Sequence, residues 1–201
     1  MPDLRFEDEL RAKGYLLVAG IDEAGRGPLA GPVMTGAAVL PVGYSHSLLD
    51  DSKKLSEKRR EEIYEELKAD DSVIFASARV EPKKIDQINI LQATYLAMRK
   101  AFEALSVDPD IALIDGKPVL HFPAEHQAIV KGDSLSLSIA AASIVAKVER
   151  DRIMVRYAKK YPGYGFERHK GYGTKAHLEA LRKLGPCPIH RKSFAPVAEL
   201  L

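Results

Sequence analysis

One stretch constrains this chain more than any other: Gly20-Ile21-Asp22-Glu23-Ala24-Gly25-Arg26-Gly27-Pro28-Leu29-Ala30-Gly31-Pro32. It follows the apolar run Tyr15-Leu16-Leu17-Val18-Ala19, which reads as a buried strand carried to Asp22. Two carboxylates thus arrive side by side where a strand ends and glycines begin. Adjacent carboxylates repel unless they are protonated or neutralised by a cation. Hard divalent ions such as Mg2+ or Mn2+ take oxygen ligands and supply that neutralisation. Glycines behind the pair let bare backbone N–H groups approach an anion. An acidic pair that gathers metal, beside a turn that accepts phosphate, points to nucleic-acid phosphodiester chemistry. A Rossmann dinucleotide loop fits poorly, because the spacing is not G-x-G-x-x-G and Pro28 removes an N–H where a pyrophosphate would need one. A solvated acidic turn would leave the pair alone. The decision therefore rests on finding further carboxylates at other strand ends.

The rest of the chain supplies them. Phe6 to Lys13 is a short helix closed by Gly14, and Val33–Leu40 is a second strand stopped by Pro41. Ser56 is a good N-cap for a helix from Glu57 to about Ala69, with Ile63 and Leu67 inward. Lys53 and Lys54 precede it on a loop, either as solvated charge or as phosphate contacts. Val73–Val80 is a third strand. Asn89 caps a long helix whose Leu91, Tyr95, Met98, Phe102 and Leu105 keep a helical period. Ile111–Ile114 is an apolar run ending at Asp115-Gly116, which repeats the pattern of the first strand. Parallel strands present their C-terminal ends along one edge of a sheet. If the Asp22 and Asp115 strands are parallel neighbours, their carboxylates converge.

Ala128-Ile129-Val130 is a short fifth strand, followed by Lys131-Gly132-Asp133. Asp133 is either the N-terminal partner of the next helix or a fourth carboxylate of the cluster. That helix, from about Ser138 to Tyr161, opens on small residues that permit close packing on the sheet, and Ser143 and Lys147 lie one turn apart on it. Two glycine-rich aromatic loops follow, one around Tyr164 and one around Tyr172. Thr174 then caps a last helix with Leu178, Leu181 and Leu184 inward.

A chain of 201 residues fits one domain spanning 1–201. Its charge is uneven, with 13 basic and 5 acidic side chains in residues 147–201 against 17 and 23 in residues 1–146. The basic portion is suited to tracking a phosphate backbone. Cys187 is a single cysteine, so no internal disulfide forms and a reducing compartment is expected. No apolar run is long enough to span a bilayer and no signal-peptide pattern opens the chain, so a cytoplasmic location and no membrane partner are expected. His121, His126, His169, His177 and His190 show no zinc-like spacing with one another or with Cys187 and read as solvated or nucleic-acid-facing.

The motif at 20–33 resembles the opening signature of ribonuclease HII, the bacterial type 2 ribonuclease H. Asp51-Ser52-Lys53-Lys54-Leu55, Ile114-Asp115-Gly116, Lys131-Gly132-Asp133, the Ala140–Asp151 helix and Gly171-Tyr172-Gly173-Thr174 are similar to that family in the expected order. The resemblance implies an α/β ribonuclease H-like fold: a mixed central sheet of about five strands flanked by helices, with a helical C-terminal portion. It implies endonucleolytic cleavage of RNA in RNA–DNA hybrids and at single ribonucleotides embedded in duplex DNA, leaving a 3′-hydroxyl and a 5′-phosphate. The catalytic and metal-binding carboxylates map to Asp22, Glu23, Asp115 and Asp133, around two ions of Mg2+ or Mn2+. Gly25, Arg26, Gly27 and Tyr172 map to positions that sense the ribose at the junction, with Tyr164 the alternative to Tyr172. Lys53, Ser143 and Lys147 are further candidate substrate contacts. A monomer is expected. Integrase-like or Holliday-junction nucleases would share the acidic cluster but not the ribose-sensing loop, and a non-catalytic duplex-binding module would have lost a carboxylate.

Overall fold

The computed structural model describes residues 1–50 and 52–201; the Asp51 of the Asp-Ser-Lys-Lys-Leu motif lies outside the described residues. The chain runs α1 (Arg5–Ala12), β1 (Val18–Ala24), β2 (Val33–Val39), α2 (Glu57–Ala69), β3 (Ile74–Val80), α3 (Pro82–Glu103), β4 (Ile111–Asp115), β5 (Glu125–Ile129), a 3-10 turn (Gly132–Ser134), α4 (Leu137–Lys160), α5 (Phe166–His169), α6 (Lys175–Leu184) and α7 (Ala195–Ala198). The five strands form one mixed sheet in the order β3-β2-β1-β4-β5. β1 is antiparallel to β2 and parallel to β4, which is in turn parallel to β5. This is the ribonuclease H-like arrangement that the resemblance implied.

Helices cover both faces. Ala19, Ile21, Ala37 and Val39 pack against Met98 and Phe102 of α3. On the other face α4 lies almost against bare backbone. A Cβ at Gly20 would sit 2.1 Å from the carbonyl carbon of Ser138, and one at Gly36 would sit 2.2 Å from the Ala142 oxygen. The small residues at the start of α4 and these two glycines are the two halves of one close approach. Ser136 caps α4, its side chain accepting from the Ile139 N–H at 3.2 Å.

Several boundaries differ from the sequence reading, each for a local reason. β1 begins at Val18, because the amides of Leu16 and Leu17 both donate to one carboxylate oxygen of Asp110 (2.7 and 2.8 Å) and Leu16 is left 74 % exposed. The strand also continues past Asp22 to Ala24. β5 ends at Ile129, and Val130 is exposed. Asn89 does cap a helical segment, accepting from the Gln92 amide at 3.1 Å, but it does so at a kink (φ 64°) inside α3, which already starts at Pro82. Leu91 and Leu184, expected inward, are exposed at the edges of their stripes.

The histidines depart furthest from expectation. His177 and His190 are fully buried among Tyr164, Phe166 and His169, and His126 is half-buried, accepting from the Val119 amide at 3.2 Å; His121 is exposed as expected.

Candidate active site

Parallel pairing of β1 and β4 is what brings Asp22 and Asp115 together. The register sets Ile21 beside Ile114, so the next residue of each strand, Asp22 and Asp115, turns to the α4 face at the same height. Asp133 joins them from the 3-10 turn that leads into α4. Carboxylate oxygens of Asp22, Asp115 and Asp133 all lie within 4.8 Å of one another. Asp133 is therefore a member of the cluster, and capping of α4 falls to Ser136.

Glu23 behaves differently. Side chains alternate along a strand, so Glu23 leaves β1 on the opposite side from Asp22 and stands outside the close triad. It still lines the same cleft and also the neighbouring groove beneath α3, and Arg26 donates to its Oε1 at 3.2 Å.

The carboxylates are held in a costly state. Burial and the repulsion of Glu23 and Asp115 hold the Asp22 carboxyl well above the usual range. Burial also raises Glu23, with Arg26 opposing, and raises Asp115, with the Gly132 amide opposing by donating to its Oδ1 at 2.7 Å. Such a set of converging, desolvated oxygens fits a hard divalent cation, which removes the repulsion without a proton. Asp22, Asp115 and Asp133 would hold it, with Glu23 at the rim.

The cleft onto which Asp22, Glu23 and Asp115 open has a volume of about 210 Å³ and is also lined by Gly25, Arg26, Gly27, Ser52, Lys53, Ser143, Lys147 and Tyr172. Lys53 Nζ lies 2.9 Å from Asp133 Oδ2 while its side chain stays 71 % exposed. Ser143 Oγ lies 2.7 Å from Ser52 Oγ. Lys147 is bound by Asp151 one turn along α4, at 2.6 and 2.5 Å, and burial lowers its pKa. Of the two candidate tyrosines, Tyr172 faces the cleft and is 45 % exposed. Tyr164 is 8 % exposed, with its hydroxyl donating to the Gly185 carbonyl at 2.6 Å.

Two buried arginines, neither singled out as a site residue from the sequence, hold the glycine loop. Arg150 of α4 donates to the carbonyls of Ala30, Pro32 and Lys170 (3.2, 3.0 and 3.0 Å). Arg191 donates to those of Gly25, Arg26 and Gly31 (2.5, 2.8 and 3.0 Å). Burial pulls Arg191 down to about 9, so it stays charged at neutral pH. Gly25 has φ +90°, and a Cβ there would lie 1.9 Å from Arg150 Nε. The C-terminal basic excess is thus partly internal. Arg150, Lys170 and Arg191 are buried, which removes them from any phosphate-tracking surface, and Arg152 is paired with Glu61 and Glu65.

A family model described as Ribonuclease HII matches residues 19–197. The chain belongs to the ribonuclease HII family. It is accordingly a ribonuclease H, an endonuclease. Within the family it is 52 % identical over 198 residues to the ribonuclease HII of Chlamydia caviae, covering 98 % of this chain and 92 % of that protein. It is 54 % identical over 199 residues to that of Myxococcus xanthus, covering 98 % and 68 %. Among solved structures it is similar to the ribonuclease H2 of Pyrococcus horikoshii (TM-score 0.76, 28 % identity, 92 % of this chain and 96 % of that one). It is also similar to a chain in a PCNA–RNase HII complex from Archaeoglobus fulgidus (TM-score 0.73, 28 % identity, 89 % and 95 %). No helix among the described residues is long and apolar enough to cross a membrane.

Proposed function

We propose that this ribonuclease H cleaves RNA in RNA–DNA hybrids and at single ribonucleotides embedded in duplex DNA, leaving a 3′-hydroxyl and a 5′-phosphate. The observation that carries the reading is one cleft lined by Asp22, Glu23 and Asp115 together with the Gly25–Gly27 turn and Tyr172, with Asp133 completing a triad whose oxygens lie within 4.8 Å of one another. A divalent ion pair held by Asp22, Asp115 and Asp133, with Glu23 at the rim, would supply activated water and charge stabilisation at the scissile phosphate.

The chain's own groups do the reading. A 2′-hydroxyl distinguishes RNA from DNA at a given position. The Gly25–Gly27 backbone, its carbonyls fixed by Arg191, offers hydrogen-bonding groups without a side chain in the way. The Tyr172 ring lies near enough to the turn that a Cβ on Gly27 would be 3.7 Å from its Cε1, so a sugar contacting one also meets the other. Lys53, Ser143 and Lys147 line the same cleft, and we assign them to the phosphates of the bound strand.

The direct test is a duplex carrying one ribonucleotide, incubated with Mg2+ or Mn2+ with and without chelator, and the cut mapped at nucleotide resolution. Cleavage beside the ribonucleotide, abolished by chelator, is expected; equal cleavage of an all-DNA duplex would instead favour an integrase-like nuclease. Tyr172→Ala should lower cleavage at the single ribonucleotide by about 10- to 100-fold, the scale set by losing substrate positioning. An unchanged rate removes Tyr172 from the account.

Metal binding has a readout besides activity. Saturating Mg2+ should raise the thermal midpoint of the protein by about 5 °C or more, as expected for a ligand at about a hundred times its Kd. Asp22→Asn should lose most of that increment. A midpoint indifferent to Mg2+ and Mn2+ in the wild type would contradict the assignment of the triad.

A further inference from the structure

The buried histidine pair stands behind the loop that carries Tyr172, and its backbone partners fix the direction of every hydrogen bond. A backbone amide can only donate and a carbonyl can only accept. His190 Nδ1 lies 2.9 Å from the Cys187 amide, so Nδ1 carries the lone pair and the ring proton sits on Nε2. The Cys187 carbonyl, 3.3 Å from the same Nδ1, is already served by the His190 amide at 2.9 Å. His177 Nδ1 lies 2.8 Å from the Tyr172 carbonyl, so here Nδ1 carries the proton and Nε2 the lone pair. The two Nε2 atoms are 3.1 Å apart, donor against acceptor. Two neutral rings of opposite tautomer therefore form one directed chain from the Cys187 N–H to the Tyr172 carbonyl.

His169 reinforces it. Its Nδ1 accepts from the Gly171 amide at 3.2 Å, its Nε2 donates to the Tyr164 carbonyl at 2.8 Å, and its ring stacks on His177 at 4.4 Å. The segment leading into Tyr172 is thus gripped by two imidazoles. The other end of the chain is tied to the glycine loop, since His190 bridges to Ala30 and the next residue, Arg191, holds the Gly25 and Arg26 carbonyls.

We propose that His177 and His190 are positioning residues for catalysis, a tautomer-matched pair that sets the Tyr172 backbone and so the placement of its ring over the Gly27 turn. The inference rests on the reading of Tyr172 as a substrate-contacting side chain. Burial supports it by keeping both rings neutral, with His190 pushed down to about 4. A charged ring would set two donors face to face.

The test is a double-variant cycle on the full-length protein, with a duplex containing one ribonucleotide and Mg2+. His177→Phe keeps an aromatic ring but loses the donor; it should lower kcat about 10-fold with KM within about a factor of two. His177→Asn, whose amide N–H reaches the same carbonyl, should recover most of that loss. Tyr172→Ala combined with His177→Phe should be no slower than Tyr172→Ala alone, because the two changes remove one function. Multiplying losses in the double variant, equal impairment of the Phe and Asn variants, or an unimpaired His177→Phe would each overturn the relay while leaving the reading of Tyr172 intact. An inert Tyr172→Ala would overturn both. Should the Phe variant fail to fold, imidazole 15N shifts of the wild type decide: Nδ1–H on His177 and Nε2–H on His190 are expected at pH 7, and the opposite tautomer on either ring refutes the chain.

Discussion

Asp115→Asn is expected to slow cleavage on the order of 10³-fold or more while leaving hybrid binding within a few-fold of wild type. The substitution is nearly isosteric, and the asparagine oxygen can still accept from the Gly132 amide that Asp115 Oδ1 meets at 2.7 Å. What it removes is a negative charge at the centre of a converging set whose members lie within 4.8 Å. Loss of that charge weakens the hold on a divalent ion, whereas the surfaces contributed by Lys53, Lys147 and Tyr172 remain. The same change relieves repulsion on Asp22, so the metal-free variant should melt at a higher temperature than the metal-free wild type. Single-turnover cleavage, binding by fluorescence anisotropy and thermal melting in chelator check the three parts. Undiminished cleavage would remove Asp115 from the chemistry, and a lower metal-free midpoint would show that its role is structural.

Gly20→Ala should be the most damaging of the small substitutions to the fold. Its new methyl group would meet Ser138 and Ile139 backbone atoms at 2.1 and 2.3 Å. No rotamer change relieves a clash between a Cβ and main chain, so the first turn of α4 must lift from β1. Overpacking of a close-packed interior costs up to about 3 kcal/mol and occasionally more, and this site belongs at the upper end. For a chain of this size that is a fall of about 10 °C in thermal midpoint. Activity should fall further than the folded fraction accounts for, since α4 carries Ser143 and Lys147 and its leading turn carries Asp133. Melting curves and activity per folded molecule test this; a midpoint within 2 °C of wild type, a shift worth about 1 kcal/mol or less, would refute the account of the interface.

These two sites show how differently the residues were legible. Asp115 stood out because an apolar run ended in a carboxylate and a glycine, a local pattern. Gly20 belongs to the same signature stretch as Gly25 and Gly27, yet the close approach of α4 that requires it involves a residue pair more than a hundred positions apart. The burial of His177, His190, Arg150 and Arg191 was hidden for a similar reason. A histidine or an arginine in a basic tail reads as solvated until its hydrogen-bond partners are known, and here those partners are carbonyls and amides of loops distant in sequence.

The sequence by itself determined the strand and helix periodicities, the acidic strand ends and the family. It also held the alternation that sends Asp22 and Glu23 to opposite faces, since that follows from the two-residue period of any strand. Only the tertiary structure decided that Asp133 joins the cluster, that Tyr172 rather than Tyr164 faces the cleft, and that two arginines hold the glycine loop from inside. Local patterns arise from neighbours along the chain, whereas convergence at a sheet rim depends on which strands pair and in which register.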